Sequence, residues 1–161
     1  MRPRLLLLVL LCSALRLTAA EGPASLAQAH ALATARDQRI LLVFTDPAHC
    51  PPCQRFEREI LSRDAFVAYA EEELVVMELP CSLPRQRAVK DTHEALRQLL
   101  GVEAYPTWWL LDTDLTPLLH GGYLRGGPAA LLDLIDRPMR DVAAAQAQAG
   151  AFLRRYVEES R

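Results

Sequence analysis

The segment from Arg39 to Thr45, RILLVFT, is a short and almost entirely apolar run with no alternation of polar and apolar side chains. A strand with this pattern is buried on both faces, and such strands occur in sheets that are covered by helices. Pro47 ends the run, because proline has no amide hydrogen to donate to a neighbouring strand. The run therefore predicts an α/β fold with a central sheet between helical layers.

Helix and strand patterns alternate around this strand. The predicted helices are 25–37, 51–61, 64–72, 91–100 and a helix that opens at Pro128, and the further predicted strands are 73–80, 107–113 and 116–123. Because helices separate the first three strands, we expect those strands to pair in parallel, and the closing hairpin to add an antiparallel edge. The result is a mixed sheet of about four strands, with extra helices at both ends of the chain.

The first 20 residues predict a signal peptide. Arg2 and Arg4 precede the apolar run 5–15, and Ala20 ends a group of small residues that suits cleavage. The run is shorter than the roughly 20 residues of a membrane-spanning helix, so no stable span is expected. We therefore expect an exported protein, periplasmic or secreted, with one domain at 21–137 and a helical extension at 138–161.

The charge and cysteine content of the remaining chain limit its function. The whole chain has a net charge of −2, and removing the first 20 residues, which carry three arginines and no acid, leaves −5. An acidic chain without a basic cluster argues against a nucleic-acid partner. Cys50, Cys53 and Cys81 remain, and one close pair with a third cysteine is unlike a disulfide scaffold.

The pair Cys50 and Cys53 lies between a buried strand and a predicted helix start, in the stretch HCPPC. A helix start offers unpaired amide donors and the positive end of the helix dipole, and both favour a thiolate on Cys50. Cys53, one turn further, is expected to be shielded, at a spacing that allows a disulfide. This arrangement suits thiol–disulfide exchange, with an accessible nucleophile and a resolving thiol behind it.

Three other interpretations of the pair are weaker. Structural zinc takes four ligands, usually from two pairs, and the histidines after residue 20 form no second pair at metal spacing. Those histidines are His30, His49, His93 and His120. A static staple across so short a loop would stabilise the fold little, and a c-type haem needs histidine where Gln54 stands. The pattern favours redox chemistry without a metal or other cofactor.

A second motif, Tyr105-Pro106-Thr107, stands directly before the predicted strand at 107–113. With this motif and the cysteine pair, the chain resembles the thioredoxin-fold family, in particular the exported proteins typified by the catalytic domain of bacterial disulfide-interchange proteins. The similar stretches are ILLVFTDPAHCPPCQRFEREIL, LVVMELP, LLGVEAYPTWWLLDTD and GGYLRGGPAALLDLI, which together cover about 40–135.

The resemblance implies a thioredoxin fold and assigns roles to particular residues. Cys50 would attack a substrate disulfide, and Cys53 would resolve the mixed disulfide. The peptide bond before Pro106 would be cis, and the backbone at Tyr105 would align an extended substrate segment beside His49. A trans proline that merely opens a strand is the alternative to this assignment.

The chain also departs from the family pattern near the pair. His49 stands where thioredoxins carry tryptophan, and Phe44 stands where they carry a buried acid, six residues before the first cysteine. The lysine that pairs with that acid has no counterpart in LVVMELP. The family's proton relay to the resolving thiol is therefore expected to be missing. His49 would either supply part of it by titrating near neutral pH or simply cover the site as a loop residue.

Cys81 follows the predicted strand at 73–80, as Cys50 follows the strand at 39–45. The carboxyl ends of parallel strands share one edge of a sheet, so both thiols are expected at the same edge. Cys81 would be either an accessory thiol that exchanges with the pair or an idle free cysteine.

These features together predict an exported thiol–disulfide oxidoreductase, either a reductase or an isomerase of protein disulfides. Its partners would be protein or peptide disulfides and a redox protein that recycles Cys50 and Cys53. Two alternatives stay open: a non-catalytic binding or chaperone module that uses the groove near Pro106, and a metal-handling protein that adds His49 or His120 to the cysteines. The sequence leaves the direction of electron flow undecided.

Overall fold

The computed structural model describes residues 22–81, 87–136 and 143–159. The predicted signal peptide and Pro138 lie outside these ranges. The helices are α1 Leu26–Arg36, α2 Pro51–Phe56 with a π-helical continuation Glu57–Leu61, α3 Asp64–Glu73, α4 Arg87–Leu99, α5 Gly127–Ile135 and α6 Ala143–Glu159. The strands are β1 Arg39–Thr45, β2 Leu74–Pro80, β3 Thr107–Leu111 and β4 Pro117–Gly121. Every predicted helix and strand within the described ranges is confirmed, with ends shifted by a few residues.

The four strands form one mixed sheet in the order β2-β1-β3-β4, which confirms the predicted α/β class. β1 pairs in parallel with β2 and antiparallel with β3, and β3 pairs antiparallel with β4. The expectation that all three helix-separated strands pair in parallel was therefore wrong for β3. Thr107, the first residue of β3, pairs with Phe44 near the end of β1. The chain that leaves β2 returns to the same end of the sheet before it begins β3, so β3 runs the opposite way.

β1 is central because its side chains supply both faces of the sheet. Phe44 belongs to one apolar cluster, which holds residues of α1, β2 and α6. Val43 belongs to the other cluster, which holds residues of α2, β3 and α5. The five apolar residues 40–44 are fully buried, and each such side chain contributes roughly 1.5–3 kcal/mol to folding. This burial holds the end of β1 in place, and the cysteine pair follows that end.

Two glycines at the end of β4 and directly after it bring backbone close to the start of β3. A Cβ atom on Gly121 would lie 2.6 Å from the Trp108 ring, and one on Gly122 would lie 3.2 Å from the Pro106 carbonyl oxygen. The Trp108 indole also donates a 2.8 Å hydrogen bond to the Gly122 carbonyl. A larger residue at Gly121 would displace the buried Trp108 ring, so these contacts fix the segment that enters β3.

The C-terminal helix α6 packs on the rest of the chain. Leu153 and Val157 are buried in the same cluster as Phe44, whereas Phe152 is 54% exposed. Arg154 donates a 3.1 Å hydrogen bond to the Asp114 carbonyl in the turn before β4. Within the described ranges, no helix combines the length and the apolar composition needed to cross a membrane.

Candidate active site

Cys50 and Cys53 form a disulfide at the start of α2, with their Cα atoms 5.3 Å apart. A turn leads from β1 into this helix, and in it the Cys50 amide donates a 2.9 Å hydrogen bond to the Asp46 carbonyl. Cys50 has extended backbone angles and caps the helix, and its Sγ accepts a 3.1 Å hydrogen bond from the Cys53 amide. Pro51 opens the helix at a position where no amide donor is needed.

The two sulfurs of the pair have different surroundings. Cys50 is half-buried, whereas Cys53 is only 2% exposed. The Cys53 amide points to the Cys50 sulfur, and a hydrogen bond of this kind stabilises a thiolate. The geometry therefore favours Cys50 as the sulfur that meets solvent and Cys53 as the sulfur behind it, as the spacing indicated.

The segment before β3 lies against Cys50. The Tyr105–Pro106 peptide bond is cis, which confirms that expectation. The carbonyl oxygen of Tyr105 is 3.5 Å from the Cys50 Sγ. Pro106 itself is buried. The structure therefore brings Tyr105 and Pro106 to the cysteine pair, although they are distant from it in the sequence.

Cys81 lies at the same end of the sheet, as expected. Its amide donates a 2.8 Å hydrogen bond to the Thr45 carbonyl, and its thiol donates a 3.4 Å hydrogen bond to the Leu79 carbonyl and interacts with the Tyr105 hydroxyl. Cys81 is a free thiol. Burial raises the pKa of this thiol, and the Tyr105 hydroxyl offsets only part of the rise. At neutral pH Cys81 is therefore mostly protonated and a weak nucleophile.

His49 is exposed to solvent, whereas Phe44 is buried. The side chain of His49 is 77% exposed, and its Nδ1 is 3.3 Å from Asp46 Oδ1. Phe44 is fully buried in the apolar cluster of α1, β2 and α6. The position that carries an acid in thioredoxins is therefore dry and apolar in this protein.

His120 is not brought to the cysteines. Its ring stacks on Trp109 across the β3–β4 pair, with ring centroids 4.4 Å apart. Among the residues that the structure describes, no three or more His, Cys, Asp or Glu side chains are placed to hold a metal ion. The geometry therefore gives the metal-handling alternative no support in these ranges.

A family model described as a thioredoxin-like domain matches residues 26–136. The chain belongs to the thioredoxin-like family. Comparison with curated protein sequences gives no match.

Solved structures share the fold of this thioredoxin-like protein. A protein named DsbH oxidoreductase superposes with a TM-score of 0.63 at 21% identity, over 71% of this chain and 81% of its own. A thioredoxin from Thermus thermophilus gives 0.54 at 21% identity, over 69% and 81%. A thioredoxin-fold protein from Helicobacter pylori gives 0.52 at 20% identity, over 78% and 87%. At these identities the likeness concerns the fold alone.

The thioredoxin-like domain has a cavity of about 290 Å³ beside the inner cysteine. Its lining residues are Thr45, Pro47, Cys53, Gln54, Glu57, Arg58 and Glu78. Glu78 is exposed because β2 is an edge strand. Its carboxyl group is nevertheless partly shielded from water by neighbouring atoms. This burial raises the pKa of the Glu78 carboxyl, and the negative charge of Glu57 raises it further.

Glu78 is a site residue that the sequence reasoning missed. The available signal was a single acid inside the apolar run LVVMELP. On β2, Glu78 pairs with Val43 of β1, and both lie on the face of the sheet that α2 covers. The acid thus lies on the strand face that meets the helix carrying the cysteines.

Proposed function

We propose that this protein is an exported thiol–disulfide oxidoreductase that acts through Cys50 and Cys53. The observation that carries the proposal is the Cys50–Cys53 disulfide at a helix start, with its half-buried sulfur against the Tyr105 carbonyl. The shared fold with a protein named DsbH oxidoreductase agrees with this activity. The leader-like first 20 residues support export to the periplasm or secretion.

The reducing cycle has two exchange steps. The Cys50 thiolate attacks one sulfur of a substrate disulfide, forms a mixed disulfide and releases the first substrate thiolate. The Cys53 thiolate then attacks the Cys50 sulfur, forms the Cys50–Cys53 disulfide and releases the second substrate thiolate. Two electrons pass from the protein to the substrate, and a redox partner must return them. Oxidation of a substrate dithiol runs the same steps in reverse.

The substrate would lie along the segment that precedes β3. The Tyr105 carbonyl is next to the reacting sulfur, and Pro106 holds the backbone there. His49 is exposed next to Cys50 in the chain and would contact a bound peptide. Protein or peptide disulfides fit this open arrangement.

Insulin reduction tests the proposal directly. With dithiothreitol as the electron source, we expect the unaltered protein to accelerate insulin reduction and Cys50→Ala to lose at least about 100-fold, because no other pathway starts the exchange. Cys53→Ala should accumulate a mixed disulfide with insulin on non-reducing gels. A Cys50→Ala variant that keeps full activity would instead indicate a binding module that does not use thiol chemistry.

The reduction potential of the pair then separates the directions of electron flow. Proteins of this fold range from about −270 mV for thioredoxin to about −120 mV for a strong oxidant. Equilibration with glutathione buffers, read by mass after trapping the free thiols, gives the value. A potential near the lower end supports a reductase, one near the middle an isomerase, and one near the upper end an oxidase.

A further inference from the structure

The resolving thiol of the proposed cycle needs a proton acceptor. Cys53 attacks only as a thiolate, and a thiol that is 2% exposed has little contact with bulk water. The amide at the start of α2 points to the Cys50 sulfur and so favours the thiolate of Cys50. Cys53 must therefore lose its proton to a group inside the protein.

Phe44 and His49, the two residues that depart from the family pattern near the pair, do not supply this group. Phe44 has no ionisable atom and is fully buried in an apolar cluster. His49 lies on the outer surface with 77% of its side chain exposed, and its Nδ1 is paired with Asp46. The base must come from another element that reaches the inner side of Cys53.

The cavity beside Cys53 contains such groups. It is lined by Cys53 together with Glu78 from β2, and with Glu57 and Arg58 from the continuation of α2. Its volume of about 290 Å³ has room for several water molecules, each of which occupies about 30 Å³ in the liquid. Glu78 lies on an edge strand and is exposed to solvent, so it connects this cavity with solvent.

We propose that Glu78 accepts the proton of Cys53 during the resolving step and passes it to solvent. Cys53–SH and the Glu78 carboxylate become the Cys53 thiolate and the Glu78 carboxylic acid, directly or through water in the cavity. The thiolate attacks the Cys50 sulfur of the mixed disulfide, and the substrate thiolate leaves with the bonding electron pair. Glu78 then returns its proton to solvent. This inference rests on the proposed function.

The charges around Glu78 make it a better proton acceptor than Glu57. Burial and the charge of Glu57 raise the pKa of the Glu78 carboxyl, which brings it closer to that of a thiol. Glu57 instead accepts a 2.5 Å hydrogen bond from the Ser62 hydroxyl. Arg58 lines the same cavity, and Glu71 lines the adjoining cavity with both acids.

The pH dependence of the resolving step follows from these groups. Glu78 accepts a proton only when it is ionised. Because its pKa is raised, the ionised fraction falls at a higher pH than for an ordinary glutamate. The resolving rate should therefore fall as the pH drops through that raised value. Without the carboxylate, the rate should follow only the ionisation of Cys53 and change about tenfold per pH unit.

Stopped-flow reaction of the reduced protein with excess dithiobis(nitrobenzoate) separates the two steps, when Cys81→Ser is present in every sample so that Cys81 adds no release of its own. The attack by Cys50 releases one coloured thiolate, and the resolution by Cys53 releases the second. In Glu78→Gln we expect an unchanged first release, a second release at least tenfold slower, and loss of the carboxylate-dependent limb of the pH profile. Glu71→Gln, the matched control, should leave both releases unchanged.

Each other outcome overturns one specific claim. A second release at the normal rate in Glu78→Gln, or an equal slowing of both releases, overturns the role of Glu78. A larger slowing in Glu57→Gln than in Glu78→Gln assigns the proton to Glu57 and also overturns it. If the unaltered protein releases no first thiolate that depends on Cys50, the proposed function fails, whatever Glu78 does. A first release at the unaltered rate in the variant shows that the surroundings of Cys50 are unchanged.

Discussion

Cys50 and Cys81 lie at the same end of the sheet, and both touch Tyr105. Cys50 faces the Tyr105 carbonyl at a helix start, whereas Cys81 faces the Tyr105 hydroxyl at the end of an edge strand. The helix start favours the Cys50 thiolate, and burial disfavours the Cys81 thiolate. Two thiols that share one neighbour therefore differ in reactivity because of the groups around each sulfur.

Alkylation of the reduced protein tests this contrast most strongly. At pH 7 we expect Cys50 to react with iodoacetamide about tenfold or more faster than Cys81, because a larger fraction of Cys50 is thiolate. The raised pKa of Cys81 means that its rate should keep increasing with pH after that of Cys50 has levelled off. Peptide mass spectrometry over a time course gives both rates from one sample.

The matched control is the reduced protein with Cys53→Ser, in which Cys50 cannot re-form the internal disulfide during labelling. Equal rates for Cys50 and Cys81 in this variant would remove the contrast between the two thiols.

Tyr105→Phe tests how the shared neighbour acts on each thiol. The variant keeps the carbonyl beside Cys50 but removes the hydroxyl that bonds to Cys81. Loss of one hydrogen bond, about 1 kcal/mol, should raise the Cys81 pKa and slow its alkylation at pH 8 roughly fivefold. Cys50 should react at its original rate. A parallel change at both thiols would mean that Tyr105 acts by general packing.

Cys81→Ser is expected to have the smallest effect. Because Cys81 is mostly protonated at neutral pH, insulin reduction should stay within about twofold of that of the unaltered protein. A loss comparable with that of Cys50→Ala would make Cys81 an exchanging thiol. Mass analysis of non-reduced peptides would then have to show Cys81 in a disulfide.

Much of the fold was predictable because its information is local. β1 is a continuous apolar run between polar turns, and the observed strand has the predicted ends. The first helix was predicted over 25–37, and at its start the Ser25 hydroxyl accepts a hydrogen bond from the Gln28 amide. The direction of β3 was not predictable in this way. An apolar run shows that a strand is buried, but it has the same pattern in either direction.

Some features of the candidate site were likewise predictable from neighbouring residues, and others depended on the tertiary structure. The cysteine pair and its helix start follow from neighbouring residues, and the cis bond before Pro106 came from the family resemblance. The cavity that joins Cys53 to Glu78 depends on the pairing of β1 with β2 and on the placement of α2. Two residues that far apart in the sequence show no local pattern, so the structure was needed to bring them together.

The packing of α6 shows that the apolar core of this protein extends past the region that the family model matches. The family match stops at residue 136, but Leu153 and Val157 complete the cluster that also contains Phe44. A Cβ on Gly150 would lie 3.3 Å from the Thr116 backbone, so the helix rests directly on the chain before β4. The stretch that the family model matches is thus shorter than the stretch that packs around this apolar cluster. A chain shortened to the matched region would lose α6 and expose the apolar residues that Leu153 and Val157 cover.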